Sequence, residues 1–326
     1  MGLLSGSISV TRFNVAVPPE GPDFERIQFW AIDPGSEVRE RIGVIPFEID
    51  APWEVGQGRY AFRVRIDRIR ADATAVKERL RELIKAEMEA TGRPFVGAKT
   101  RKKLRDLAEA ELCARQAPRT RILECCIDGP ILYVASTAKS HLGTVLALLR
   151  QAGIEADFKA PWLDEAPEVD EASEIVIPKE PGQSVLGCRF VKALLEEPEV
   201  MVEPETGSVR LATREAKVSL TGAVLNELFR YLEAGAEILA AKIHVGTHAM
   251  RFDALSYRLN GLKLEPVRNE HWTVDLDQRL EQIATVFELL DGKYAALKDR
   301  MNGTAAAPPA PDAAEETTAA VTSEPF

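Results

Sequence analysis

The eight-residue segment RYAFRVRI, at positions 59–66, constrains the fold of this 326-residue chain more than any other feature. Its even positions carry tyrosine, phenylalanine, valine and isoleucine, and its odd positions include Arg59, Arg63 and Arg65. Because successive side chains of a β-strand point to opposite faces, this alternation predicts a strand with one apolar face and one arginine face. We therefore expect a half-buried strand whose apolar face covers a hydrophobic core.

Two amphipathic helices are predicted after this strand. Apolar residues at helical spacing predict the first over residues 73–90, and the glycine and proline of Thr91–Gly97 end it. The second is predicted over residues 98–115, and Pro118 ends the segment. Its first turns carry five cations, called the basic cluster below: Lys99, Arg101, Lys102, Lys103 and Arg105. The two helices predict a basic helical hairpin arm inserted between two strands.

Charge is distributed very unevenly along the chain. The net charge is −10, which by itself argues against a nucleic-acid partner. Residues 59–121, however, hold 18 Lys and Arg against 9 Asp and Glu, a net charge of +9. Residues 153–206 hold 4 Lys and Arg against 14 Asp and Glu, a net charge of −10. A basic segment within an acidic chain indicates binding to a polyanion.

The whole sequence predicts an α+β fold with mixed sheets in two units. Asp128-Gly129 predicts a hairpin turn between two strands, and a helix is predicted after them over residues 138–151. The second unit is predicted to contain strands at 209–211, 216–220 and 236–245, a helix from Thr221 to Glu233, a strand pair turning at Asn260-Gly261, and a helix at 276–300. The predicted domains are a central α+β domain (1–72 and 119–160), the arm (73–118), an acidic proline-rich linker (161–182), a second α+β domain (183–301) and a disordered tail (302–326).

No catalytic motif is recognisable in the sequence. The phosphate-binding loop G-x-x-x-x-G-K-[ST] and the nucleophile elbow G-x-S-x-G are both absent. Asp275 and Asp277, just before the last predicted helix, could hold Mg²⁺ in a nuclease, but acids at a helix start also complement its dipole. His244 and His248 have the spacing of a helical metal site, yet they fall at the end of a predicted strand. We therefore predict a protein that is not an enzyme and that uses neither cofactor nor metal.

Three features predict a cytoplasmic protein. No apolar stretch reaches the length of about eighteen residues that a membrane span needs. The opening residues MGLLSGSISVTRFNV lack the basic and apolar blocks of a secretory signal. The four cysteines form no C-x-x-C pair, which predicts free and largely buried thiols in a reducing compartment.

The basic segment is compatible with more than one partner. Lysine and arginine can neutralise phosphates without reading base sequence, which favours nucleic acid. Alternating acids and bases on the first helix equally favour salt bridges between neighbouring turns. In the basic cluster that explanation is weaker, because no acid appears before Asp106. Charge alone leaves DNA, RNA and an acidic protein as comparable partners.

Several segments show a likeness to one known family. They are the strand opened by Gly58-Arg59, the helix start Val76-Lys77, the helix KKLRDLAEAEL and the segment ILYVASTAKSHLGTVLALLRQAG. Weaker likeness lies at Gly43-Val44-Ile45-Pro46, where the family has a turn, and over residues 232–264 and the last helix. In this order the segments resemble the recombination-associated protein RdgC family. The family's aromatic residues just after the arm are missing here.

The resemblance implies a homodimer that closes into a ring around double-stranded DNA in the nucleoid. It further implies binding without sequence preference, in competition with a RecA-type recombinase. The arm tip at Thr91–Gly97 would present Phe95 as an exposed contact to the partner. The DNA-lining residues carried over by position are Arg59, Arg63, Arg65, the basic cluster (Lys99, Arg101, Lys102, Lys103, Arg105), Arg115, Arg119, Arg121, Lys217, Lys242 and Arg251. The alternatives are a module whose arm docks an acidic protein and a metal-dependent nuclease.

Overall fold

The computed structural model describes residues 2–33, 35–56, 58–163, 175–202 and 207–301. The strands are β1 (Ile8–Ala16), β2 (Glu40–Pro46), β3 (Glu54–Gly56), β4 (Arg59–Arg68), β5 (Arg119–Asp128), β6 (Ile131–Val134), β7 (Glu155–Phe158), β8 (Val200–Val202), β9 (Ser208–Ala212), β10 (Lys217–Thr221), β11 (Glu237–Val245), β12 (His248–Asp253) and β13 (Arg258–Leu262). The helices are α1 (Ala73–Thr91), α2 (Ala98–Cys113), α3 (Lys139–Gln151), α4 (Leu186–Leu194), α5 (Leu228–Glu233) and α6 (Trp272–Met301). The presence of both helices and strands, with an antiparallel sheet, confirms the predicted α+β class.

The strands form one continuous sheet, in which β1 joins the two units. One edge of β1 pairs with β13 of the second unit, and its remaining pairings are with β6 and β7 of the first unit. All pairings between these strands are antiparallel, so the predicted mixed sheets are wrong. The reason is topological: α1 and α2 connect β4 to its antiparallel neighbour β5, whereas a parallel pair would need a crossover.

Two hydrophobic cores lie on opposite sides of this sheet. On one side, here the α6 side, α4 and α6 pack over the larger core, to which β1 contributes Ile8 and Val10. On the other, the α3 side, α3 packs over the smaller core, to which β1 contributes Phe13. Because neighbouring residues of β1 face opposite sides, this one strand contributes to both cores. The core that a buried strand residue joins therefore shows which side of the sheet its side chain faces, and its neighbours in the strand face the other side.

The alternation predicted for residues 59–66 is confirmed in β4. Phe62, Val64 and Ile66 are buried on the α3 side. Arg63 and Arg65 are half-buried on the α6 side. The strand extends two residues further than its apolar pattern, to Arg68. The predicted half-buried strand is thus a central element of the first unit.

The two predicted helices of the basic segment are also confirmed. The Asp72 carboxylate caps α1 by accepting hydrogen bonds from the backbone N–H groups of Thr74 and Ala75. Gly92 ends α1 with a φ of 66°, a left-handed conformation that favours glycine. The two helices pack on each other, and Cys113 at the end of α2 is buried beside Ile69. Most of their other side chains are half-buried or exposed.

Asn260-Gly261 does not form the turn predicted for it. Both residues lie inside β13, and the connection from β12 runs through residues 254–257 instead. Gly261 has a φ of 61°, and the pairing of β1 with β13 shifts register there, between Ile8 and Val10. The dipeptide Asn-Gly favours a positive φ wherever it occurs. In many proteins it therefore forms a hairpin turn, whereas in this protein it forms a β-bulge.

Other boundaries in the sequence interpretation need correction. Residues 43–46 lie in the strand β2, not in a turn. Gly43 packs closely on Phe29, so that a Cβ added to Gly43 would lie 2.5 Å from the Cα of Phe29. The helix expected from Thr221 is a 3-10 helix followed by the short α5. The last helix begins at Trp272, so Asp275 and Asp277 lie within it rather than before it. The helix α4 was not predicted, although its apolar residues have helical spacing.

The predicted linker at 161–182 is only partly an excursion. Of its described residues, Trp162 is 2% exposed and Val176 is 7% exposed, and both belong to the larger core. Those two side chains therefore anchor both ends of the segment to the fold, whereas an acidic linker would leave them in solvent. Residues 164–174 of this segment, and the tail at 302–326, lie outside the described residues.

All four cysteines are free and buried, as the sequence predicts. Burial raises the pKa of Cys125, Cys126 and Cys188 above the ordinary thiol value. These thiols therefore stay protonated and pack as small apolar side chains.

Gly187→Ala should destabilise the second unit strongly. A Cβ at this position of α4 would lie 1.8 Å from the backbone oxygen of Ala254, which follows β12. Since this oxygen belongs to the backbone of a packed core and cannot move away easily, we expect a loss of about 3 kcal/mol in the free energy of unfolding. Urea denaturation followed by circular dichroism measures it, with Gly143→Ala on the exposed face of α3 as control, because a Cβ there meets no atom within 4 Å. Equal stability of the two variants would contradict this packing.

Candidate nucleic-acid interface

The basic cluster is an exposed and unneutralised patch on α2. Lys99, Arg101, Lys102, Lys103 and Arg105 are all exposed. Within the described part of the chain, none of them forms a salt bridge. They also occupy the amino-terminal half of α2, where the helix dipole is unfavourable for cations. Five like charges placed against the dipole and without counter-ions indicate a surface suited to an external polyanion.

A cleft of about 600 Å³ lies between α1 and α2. Arg101, Lys102 and Arg105 line it together with Lys77, and Val76 and Leu80 add apolar surface. Glu109 is the carboxylate among its lining residues. The cleft gives part of the basic cluster a concave shape, so its cations can converge on one bound group.

The charged side chains of α1, unlike the basic cluster, form salt bridges. Arg79 of α1 donates hydrogen bonds to Glu82 and to Glu111 of α2. This contact lowers the pKa of Glu111 from its ordinary value. Lys85 and Glu89 form a further pair at 3.9 Å. On α1 the alternating charges therefore form salt bridges, which is the alternative to phosphate binding that the sequence analysis gave for this helix.

The arginine face of β4 is neutralised within the protein. Arg59 forms salt bridges with Asp128 and with Asp277 of α6, and its side chain is 26% exposed. Both contacts raise the pKa of Arg59, against the opposing effect of burial. These bonds tie β4 to α6, so the charge of Arg59 contributes little outside the molecule.

The next two arginines of β4 are held in the same way. Arg63 lies between Glu48, at 3.2 Å, and Glu124, at 3.5 Å, with its guanidinium stacked 4.6 Å from the Phe47 ring centroid. Arg65 forms paired hydrogen bonds with the buried Asp67. Such bidentate and cation–π contacts fix a guanidinium in place. Both residues have a structural role that the sequence interpretation did not anticipate.

Arg119 and Arg121 lie on the opposite side of the sheet. In the β4–β5 ladder, Arg121 is opposite Ile66 and Arg119 is opposite Arg68. Ile66 faces the α3-side core, so these arginines also face that side. The structure thus separates Arg119 and Arg121 from the arginine face of β4, which the sequence interpretation grouped with them.

A basic cleft of about 520 Å³ lies on the α3 side, between the ends of β4 and β5 and the start of α3. Arg119 and Arg121 line it, and so do Arg68, Arg70 and His141. Residue numbers alone could not indicate the last three, because only the strand register brings them together. The cleft is called the α3 cleft below.

The predicted residues of the second unit share one sheet face. Lys242 of β11 is opposite Arg251 of β12, which is opposite Asn260 of β13. Their neighbours in sequence, such as Phe252, face the α6-side core, so this face belongs to the α3 side. Lys217 is exposed on β10, and the exposed Arg210 of β9 lies nearby, opposite Ser219. Sequence reasoning missed Arg210, whose alternation within β9 was the available signal.

The remaining predicted residues lie at the ends of the arm helices. Arg115 is exposed immediately after α2. Phe95 is 73% exposed between α1 and α2. Single exposed apolar side chains are common on protein surfaces, and burying such a ring against another molecule is favourable. Phe95 is therefore a suitable apolar contact for another molecule.

The carboxylates and histidines considered for metal binding do not converge. Asp275 accepts hydrogen bonds from Asn269, whereas Asp277 pairs with Arg59. His244 is opposite Ala249, and His248 is opposite Val245, so the two imidazoles point to opposite sides of the sheet. Among the described residues, no group of three or more His, Cys, Asp or Glu side chains could hold a metal ion.

No helix among the described residues combines the length and the apolarity required to cross a membrane. The longest, α6, carries charged residues throughout and packs its apolar side on the larger core. Its apolar residues are thus accounted for by the fold.

No protein-family model matches this chain, and no curated protein matches it. The likeness to the RdgC family therefore rests on the sequence segments quoted above, most of all on residues 59–153.

Proposed function

We propose that this protein binds double-stranded DNA through its phosphate backbone, without sequence preference and without chemistry on the DNA. The observation that supports this proposal best is the basic cluster: five exposed cations with no salt bridge within the described part of the chain. In a protein whose net charge is −10, cations that escape internal neutralisation are the ones available to a polyanion. Arg59, Arg63 and Arg65, which are internally paired, contribute to the fold instead.

A second basic surface fits the same proposal. Five of the predicted residues lie on the α3 side of the sheet: Arg119, Arg121, Lys217, Lys242 and Arg251. Thr137, just before α3, donates a hydrogen bond to Asn260 of β13, which links the segment before α3 to the basic face of the second unit. Cations on one side of the sheet can contact several phosphates of the same duplex.

The resemblance to the RdgC family adds a more specific proposal. The protein would act as a homodimer that encloses the duplex, compete with a RecA-type recombinase for DNA, and associate with the nucleoid. The exposed Phe95 would contact the partner protomer.

The test of DNA binding is a salt series on linear duplexes of unrelated sequence. Binding through six or more phosphates predicts that affinity falls by about 10³-fold or more between 50 and 200 mM salt, equally for each sequence. Equal or tighter binding to an acidic protein, with weak DNA affinity, would favour the alternative of a protein-docking arm. Binding of DNA that is insensitive to salt would contradict phosphate contact. Retention on covalently closed DNA at high salt, with loss from linear DNA, would support an enclosing ring.

Phe95→Glu should shift the protein towards the monomer. A charge at this exposed ring would have to be desolvated in an interface between protomers, which is unfavourable. Sedimentation equilibrium measures the association, and Phe229→Glu, at a ring that is 62% exposed, is the matched control. Unchanged association in Phe95→Glu, or an equal loss in Phe229→Glu, would remove Phe95 from the interface.

A further inference from the structure

The α3 cleft concentrates cations in a way that the fold does not require. Arg68 and Arg119 are directly opposite each other across the β4–β5 ladder, and like charges in that position destabilise a sheet. Arg70 and Arg121 line the same cleft, and no carboxylate is among its lining residues. Within the described chain Arg68 has one carboxylate partner, Glu40, at 2.6 Å. Among the described residues, Arg70, Arg119 and Arg121 form no salt bridge with a carboxylate, and Asp72 interacts with Arg119 only through the electrostatic field.

His141 occupies a defined position in this cleft. Its Nδ1 lies 2.9 Å from the Ser136 hydroxyl oxygen, and its Nε2 lies 2.6 Å from a guanidinium nitrogen of Arg121. A guanidinium can only donate, so Nε2 must accept, and Nδ1–H donates to Ser136. The imidazole is therefore neutral and held in one tautomer while Arg121 contacts it.

The amino terminus of α3 adds further hydrogen-bond donors. Ser140 and His141 belong to its first turn and line the cleft. No side chain caps this terminus, because Ala138 occupies the capping position. The free N–H groups of a first helical turn favour a negative charge. Arginines, a histidine and a helix terminus thus converge on one concave space of about 520 Å³.

We propose that the α3 cleft is a binding site for an oxyanion, a phosphate or sulfate group, and that His141 becomes protonated when the anion binds. An oxyanion would accept hydrogen bonds from Arg119 and Arg121 and separate Arg121 from Nε2 of His141. Nε2 then gains a proton and donates to the anion as well. The proposal does not depend on DNA binding, because a free anion can occupy the cleft.

The direction of the pH effect follows from the groups that surround His141. Burial, then Arg121 and Arg68, lower its pKa in the free protein. The acids that contact or face the cleft arginines have other partners as well: Glu40 pairs with Arg68, and Asp67 pairs with Arg65 and Thr120. Asp72, which interacts electrostatically with Arg119, caps α1. A bound anion favours the imidazolium and raises this pKa. Anion affinity should therefore increase as the pH falls through the histidine range, since protons and anion bind together.

The experiment is an NMR titration of the four histidine Cε1 protons against pH, with and without sulfate, which stays a dianion throughout. His141→Ala assigns the signal. We expect sulfate to raise the midpoint of His141 by about half a pH unit or more, and to leave the other three histidines unchanged. Arg119→Gln, which does not touch His141, should abolish this shift. Arg150→Gln, at the far end of α3, is the control of equal charge.

Sulfate that leaves His141 unshifted, or shifts it equally in Arg119→Gln and Arg150→Gln, would overturn the proposal. The same titration with inorganic phosphate and with a short DNA duplex distinguishes the sources of the anion. A shift by duplex DNA assigns the cleft to a backbone phosphate, and a shift by phosphate alone assigns it to a free anion. DNA binding without any sulfate response refutes the cleft but not the proposed function. A sulfate response without DNA binding refutes the proposed function but not the cleft.

Discussion

Replacing the five cations of the basic cluster with glutamine should lower the affinity for duplex DNA by about 100-fold or more near 100 mM salt. The physical reason is counter-ion release: each phosphate contact adds about 0.9 to the slope of log affinity against log salt. If three to five of the cations touch phosphates, that slope should become smaller by about 3 to 5. Fluorescence anisotropy on a labelled duplex, at several salt concentrations, measures both quantities.

A variant with the same loss of charge elsewhere separates contact from net charge. Suitable exposed cations, none in a salt bridge within the described residues, are Arg26, Arg41, Arg230, Lys263 and Arg268. Changing these to glutamine should lower the affinity far less, because distant charges are screened beyond about 10 Å at 0.1 M salt. Equal losses in the two variants would mean that the basic cluster does not contact DNA.

Asp291→Ala should be the most destabilising single substitution that we predict, with a loss of about 3–5 kcal/mol in the free energy of unfolding. Asp291 of α6 accepts two hydrogen bonds from Arg12 of β1, at 2.6 and 2.7 Å, and a third from the Tyr257 hydroxyl. The side chain of Arg12 is only 6% exposed and lies 4.4 Å from the Phe287 ring centroid. Removing the carboxylate leaves a buried guanidinium without its counter-ion.

Urea denaturation of the purified variants measures this effect. Glu281→Ala, at an exposed position of the same helix, should change stability by no more than about 0.5 kcal/mol. The double variant Arg12→Met with Asp291→Ala should recover part of the loss, because the uncompensated charge is gone. A double variant as unstable as the sum of the two single variants would show that the ion pair is not the cause.

The elements with a clear local pattern were predictable from the sequence. The alternation in RYAFRVRI, the apolar period and flanking glycines of α1 and α2, and the hairpin at Asp128-Gly129 depend on neighbours in the chain. Each is therefore visible in a short window. Where the same local signal suits two structures, prediction failed: Asn260-Gly261 allows either a hairpin turn or a bulge, and only pairing with β1 selects the bulge. The prediction of mixed sheets, which require some parallel strands, was wrong for a similar reason. Whether two strands are parallel depends on which strands become neighbours, and that is decided by distant parts of the chain.

For the candidate site, the sequence by itself determined that cations concentrate between residues 59 and 121, and that five of them share the first turns of one exposed helix. Tertiary structure decided which cations are neutralised. Glu48, Glu124 and Asp277 are distant in sequence from β4 but lie beside its arginines, so that face is an internal ion-pair network. The register of β4 with β5 places Arg68 and Arg119 together near His141. Charge follows from composition, whereas counter-ions follow from contacts between distant segments, and those form only when the chain folds.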